Sequence, residues 1–163
     1  MQTDPNWANF LYNVETGKLG LLDFGATREW NKTFVNNYFK IIQGAANGDR
    51  DQVKDYSSKI GFLTGFENAE MNSAHINSVM ILSEPFREDR TYNFATQNAT
   101  FRMQELVPIM LKNRLCPPPT EVYSLHRKMS GLFLVASKLR AEINCSTTWR
   151  RIEGEFNELA QSS

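Results

Sequence analysis

Near the start of the chain, Asp4 and Asn9 precede a short apolar run, a turn and a second apolar run that leads into Asp23. Phe10, Leu11 and Tyr12 read as one strand, Asn13 to Lys18 with Gly17 as the turn, and Leu19 to Leu22 as the return strand. Antiparallel pairing of two such strands brings their outer ends together, so Asn9 and Asp23 are expected at the same edge of a hairpin. An amide oxygen and a carboxylate brought side by side are hard donors of the kind Mg²⁺ prefers. The plainer reading makes Asp4 and Asn6 turn residues around Pro5 and lets Asp23 close a strand.

Spacing separates the two readings. Asp4 with Asn9, followed by Leu21-Leu22-Asp23-Phe24-Gly25, reproduces the interval between a kinase catalytic loop and its metal-binding turn. Asp-Phe-Gly alone arises by chance, whereas the paired interval points to phosphoryl transfer. Such a site needs a carboxylate beside the attacking hydroxyl or water, and Asp4 is the candidate catalytic residue. It also needs oxygens that hold magnesium against the nucleotide phosphates. Asn9 and Asp23 are the candidate metal- and cofactor-binding residues, with Mg²⁺ and ATP as the implied cofactors. Gly25 is expected to let the chain turn away after the ligand.

The string QTDPNWANFLYN followed by LLDFGATREW closely resembles the mitochondrial branch of the UbiB family, the atypical kinase-like (aarF-domain-containing) proteins of coenzyme Q biosynthesis. Bacterial and plastid members usually carry a His-Ala-Asp-x-His-Pro-Gly-Asn loop at this place, whereas Gln2, Thr3, Asp4 and Trp7 match the mitochondrial type. The likeness continues through FLTG at Phe62 to Gly65 and PPPTEVYSLHRKMSGLFL from Pro117 to Leu134. It implies the C-terminal lobe of an atypical kinase or ATPase using Mg-ATP on the matrix side of the mitochondrial inner membrane. The implied partners are coenzyme Q biosynthesis proteins or lipid precursors. In the family, an alanine-rich nucleotide loop, a phosphate-contacting lysine with its glutamate, and a lysine-glycine-glutamine motif lie before the part matched here. The missing N-lobe is therefore the expected intramolecular partner. Two other classes compete: a non-catalytic, pseudokinase-like helical binding module, and a small-molecule phosphotransferase of the aminoglycoside-kinase kind. Trp7 and the Asp-Phe-Gly context favour the UbiB reading over the latter.

The expected fold is mainly α, a protein-kinase-like C-lobe with its N-lobe absent, in which a helical body carries a short β-hairpin. Residues 1–163 read as a single domain: 1–30 hold the catalytic loop, hairpin and Asp-Phe-Gly segment, and 31–160 the helical body. Phe34, Tyr38, Ile41, Ile42 and Ala45 share one helix face, ended by Gly48. Asp49 caps a second helix with Val53, Tyr56 and Ile60 inward and Gly61 as its stop. Further helices are expected from about Glu67 to Leu82 and Thr96 to Lys112, the latter kinked or interrupted at Pro108. Pro117 to Pro119 form an extended spacer. Val122, Leu125, Met129, Leu132, Phe133, Ala136 and Leu139 then mark a core helix, and Ser146 or Thr147 caps a last one, with a fraying Gln-Ser-Ser tail.

Acidic and basic side chains balance at 18 each, which removes a global electrostatic case for nucleic acid. Neither a run long enough to span a membrane nor a leader is visible, so any targeting segment would lie upstream. Cys116 and Cys145 have no zinc spacing, and the sequons at Asn31, Asn98 and Asn144 are discounted as chance triplets. His126-Arg127-Lys128 falls inside the strongest helical stripe and is read as structural, as is His75. Trp7 is expected to pack beneath its loop.

Overall fold

Asn31 starts the helical body, its side-chain oxygen accepting the Phe34 N–H at 2.7 Å in the computed structural model, which describes residues 3–4 and 6–161. Gln2 and Pro5 of the quoted loop, and Ser162 and Ser163 of the tail, lie outside the described residues. Helix α1 (Lys32–Ala46) buries Phe34, Ile41 and Ala45 along the predicted face. Gly48, at φ 77, turns the chain, and Asp49 caps α2 (Arg50–Ile60) by accepting the Gln52 N–H at 2.9 Å. Gly44 lets α1 and α2 approach closely, since a Cβ there would lie 3.0 Å from Gln52 Cβ. Gly61, at φ 90, stops α2 as its sequence position predicts.

Helix α3 (Ala69–Leu82) lies across this pair and completes the core cluster of Ile41, Ala45, Val53, Ile76 and Val79. Each of the isoleucine and valine side chains contributes roughly 1.5–3 kcal/mol by leaving water. The helix begins at Ala69, capped by Asn68, and not at Glu67, whose carboxylate is engaged outside it. That carboxylate accepts from Thr64 N, Thr64 Oγ1 and Gly65 N at 2.7, 2.8 and 2.9 Å.

Short α4 (Glu84–Arg87) is joined to α5 (Ala99–Asn113) by a two-pronged Arg102–Glu84 ion pair with bonds of 2.7 and 2.6 Å. Pro108 sits inside α5 without ending it. Helix α6 (Thr120–Lys138) follows the proline spacer, and α7 (Cys145–Gln161) closes the body. Phe39 of α1 stacks on Phe156 and Trp149 of α7 at ring-centroid distances of 3.8 and 5.2 Å. The α7 cap is Asn144, whose side-chain oxygen accepts the N–H groups of Ser146 and Thr147, the two residues predicted to do the capping themselves. The sequons at Asn31 and Asn144 are thus helix caps.

Two strands of two residues, Tyr92–Asn93 and Glu142–Ile143, pair antiparallel and tie the approach to α5 to the α6–α7 junction. Among the described residues there are seven α-helices and two two-stranded antiparallel sheets, the kinase-like C-lobe expected, with no β-rich N-lobe. None of these helices is long and apolar enough to cross a membrane.

Helix α6 departs from its predicted role. Val122 is buried, but Leu132 and Leu139 on the same stripe are 50% and 62% exposed. Its C-terminal half faces the hairpin across an open groove instead of entering the core.

Candidate functional site

The hairpin forms where the turn chemistry places it. Strands β1 (Phe10–Asn13) and β2 (Lys18–Leu21) pair antiparallel with Phe10 opposite Leu21 and Asn13 opposite Lys18. Gly17 supplies the left-handed turn position at φ 65, and Asn13 Oδ1 accepts the Thr16 N–H at 2.9 Å. One further bond carries the pairing past the strands: Leu22 N–H donates to the Asn9 carbonyl at 2.9 Å. Asn9 and Asp23 therefore sit at neighbouring rungs of one hairpin end.

Asp4 is built into the same end by its own oxygens. Oδ1 accepts the Asn6 N–H at 3.2 Å, and Oδ2 accepts the side-chain amide of Asn9 at 3.0 Å. Asn6 in turn accepts the Ala8 N–H at 3.1 Å and starts the single 3₁₀ turn Trp7–Asn9, which delivers Asn9 to the strand. Asn9 is buried at 9% exposure. With its amide nitrogen committed to Asp4, its oxygen is the atom it can offer a cation.

Asp23 is exposed, and its Oδ1 accepts the Gly25 N–H at 2.7 Å. A Cβ on Gly25 would stand 3.1 Å from that same oxygen. Glycine is used here for room beside the carboxylate and not for a left-handed turn, since Gly25 is absent from the positive-φ residues. A second tie closes the loop from the other side: Thr3 N and Thr3 Oγ1 both donate to the Ala26 carbonyl, at 3.1 and 2.7 Å.

Three contacts had no signal in the residue spacing. Thr3 was legible only as a mark of loop type, because its partner lies across the whole hairpin. Trp30 Nε1 donates to the Glu121 carbonyl at 2.9 Å, fixing the segment after Gly25 to the start of α6. Trp7 does not pack beneath its loop; it is half exposed and lies against α6, with Lys138 Nζ 5.3 Å from its ring centroid. Trp7, Phe10, Tyr12 and Leu19 face Leu132, Val135 and Leu139 across an apolar groove of about 740 Å³.

The two histidines stand apart from this site. His75 is buried, with Nε2 2.9 Å from Ser57 Oγ, and burial pulls its pKa down to about 4. His126 stacks on Phe62 inside α6 as its periodicity requires. Among the described residues no group of three or more His, Cys, Asp or Glu side chains gathers as a metal cluster. The Asn9 amide oxygen and the Asp23 carboxylate are hard donors, of the kind that could hold Mg²⁺ in preference to a soft metal.

The model of the ABC1 atypical kinase-like domain matches residues 1–57, the part that contains this hairpin. Over nearly the whole chain the sequence is 50% identical to the mitochondrial atypical kinase COQ8B of Danio rerio, covering 99% of this chain and 26% of that protein. The chain belongs to the UbiB family of atypical kinase-like proteins. It is also 48% identical to the mitochondrial atypical kinase coq-8 of Caenorhabditis elegans, over 96% of this chain and 21% of the relative. A third relative, the probable serine/threonine-protein kinase abkA of Dictyostelium discoideum, is 47% identical over 96% of this chain and 29% of its own length. This UbiB chain thus spans about a quarter of the length of these curated relatives.

Proposed function

We propose that this chain is the C-terminal catalytic segment of an atypical kinase or ATPase that uses Mg-ATP in support of ubiquinone biosynthesis in mitochondria. The observation that carries the reading is the Asp4 carboxylate bonded to the Asn9 amide at 3.0 Å, on the hairpin end that leads into Asp23. Asp4 takes the proton of the attacking hydroxyl or water, and its bond to Asn9 orients it for that task. Asn9 and Asp23 are the residues that would hold Mg²⁺, through their oxygens. When bound, Mg²⁺ neutralises charge on the transferring phosphate and leaves positioning to the protein.

Similarity to relatives named mitochondrial supports a mitochondrial location, and the family resemblance supports the matrix side of the inner membrane. The same resemblance favours coenzyme Q biosynthesis proteins or lipid precursors as partners. The N-lobe of the complete kinase is the intramolecular partner that completes the nucleotide site.

Measuring Mg-nucleotide affinity and ATPase rate in the complete protein tests the division of roles. Asp23→Asn removes a metal-facing charge and is expected to weaken nucleotide binding by ten-fold or more, on the order of 1.4 kcal/mol. Asp4→Asn is expected to retain binding and lower kcat by about 10²–10⁴-fold. Equal loss of affinity in both variants, or unchanged turnover in both, would contradict the assignment, and absence of turnover in the unsubstituted complete protein would favour the non-catalytic binding module.

A further inference from the structure

We propose that Thr3 is the positioning residue that fixes the catalytic loop against the Asp-Phe-Gly turn, an inference that rests on the phosphoryl-transfer reading of Asp4, Asn9 and Asp23. The two functional stretches, Asp4 to Asn9 and Asp23 to Gly25, lie between two ties. At the hairpin end the tie is the Leu22 N–H bond to the Asn9 carbonyl, a continuation of the strand ladder. At the other end the tie lies beside Thr27, an isolated β-bridge residue. There the Ala26 carbonyl takes two donors from one residue, the N–H of Thr3 at 3.1 Å and its hydroxyl at 2.7 Å. A carbonyl oxygen has two lone pairs and can accept both.

Burial marks Thr3 off from its surroundings. It is 2% exposed, whereas Asp23, Phe24 and Gly25 are exposed and every residue of β2 is open to solvent. A hydroxyl held dry at that distance has no competing water, and the β-branched side chain restricts the rotamers that could release it. The separation of Asp4 from Asp23 is therefore held at one end by backbone pairing and at the other by the Thr3 N–H together with its side-chain hydroxyl. Losing that hydroxyl leaves Ala26 its amide bond but lets the metal-binding turn shift against the loop. In phosphoryl transfer, where positioning supplies most of the catalysis, a displacement of about 1 Å can cost on the order of 10²-fold in rate.

The test compares Thr3→Val, which keeps the shape and removes the hydroxyl, with Thr3→Ser, which keeps the hydroxyl, in the complete protein. ATPase kcat, KM for Mg-ATP and the Mg²⁺ concentration for half-maximal rate are measured beside Tm, with Asp23→Asn as the reference. Thr3→Val is expected to lower kcat by about ten-fold or more and to raise the Mg²⁺ requirement, while Thr3→Ser stays within about three-fold of the parent. A merely structural role would lower Tm without moving the Mg²⁺ dependence. A folded Thr3→Val with parental kcat and Mg²⁺ dependence, or a Thr3→Ser as impaired as Thr3→Val, overturns the inference. Should Thr3→Val fail to fold, Thr3→Ala against Thr3→Ser decides the same question. Loss of activity in Asp23→Asn beside a normal Thr3→Val defeats the Thr3 inference alone, whereas full activity in Asp23→Asn defeats the phosphoryl-transfer reading beneath it.

Discussion

The helical body and the hairpin that carries the candidate site are held by different physics. In the body, Ile41, Ala45 and Val53 are at most 2% exposed, and capped helices close over them. In the hairpin, Leu11, Tyr12, Leu19, Leu22 and Phe24 all stand in solvent, and the order of the segment comes from hydrogen bonds made by Thr3, Asp4, Asn6, Asn9 and Asp23. A two-stranded hairpin is marginal on its own. The polar residues that order it include the candidate-site residues Asp4, Asn9 and Asp23, so geometry at the site is specified locally while the site itself stays open to solvent. Burial builds the scaffold, and hydrogen bonding builds the site.

The sharpest way to break this contrast is to truncate one apolar side chain in each region. Ile41→Ala is expected to cost about 3 kcal/mol in urea unfolding, by lost burial plus the cavity left behind. Leu19→Ala is expected to stay within about 0.5 kcal/mol, since the side chain is already in water. Similar losses at both positions would show that the hairpin is a cooperative part of the core.

Acid provides a comparable probe of the body alone. His75 is neutral when folded, with desolvation by burial the leading cause of its depressed pKa of about 4, against an ordinary 6.5. Its unfolded form binds a proton more readily, so the stability its neutral burial contributes is intact above about pH 6.5 and lost as pH falls toward 4. The upper size of that loss is roughly 3 kcal/mol. Replacing His75 with Gln should flatten unfolding stability between pH 6.5 and 4, measured by urea midpoints. An unchanged slope in that variant would assign the acid sensitivity elsewhere.

The hairpin and the first two helices of the body are legible from sequence because their signals are local. Gly17 and Asn13 declare the turn, Asp49 declares a cap, and Gly61 declares a stop, each through a bond or torsion within a few residues. What sequence hides is either partner or cover. Periodicity puts Leu132 and Leu139 on one face of α6 but does not say what covers that face, which here is an open groove. The last cap passes from Ser146 to Asn144 because an amide side chain reaches both following N–H groups. Strands of two residues, such as Tyr92–Asn93, are too short to show an alternation. Within the site, the Asp4, Asn9 and Asp23 interval was readable, while the Thr3–Ala26 tie was not, since it forms only once the hairpin has folded back.

If the site is complete in its residues but open in its surroundings, the isolated 163-residue chain should hold Mg-ATP poorly. Mg²⁺ dehydrates reluctantly, and an exposed carboxylate with one amide oxygen gives it little without a lobe to clamp the phosphates. Calorimetric titration of Mg-ATP into the purified chain, with an ATPase assay alongside, measures this directly. The expected result is no binding in the micromolar range and no metal-dependent turnover, whereas micromolar binding with turnover abolished by Asp23→Asn would show that the hairpin and body suffice by themselves.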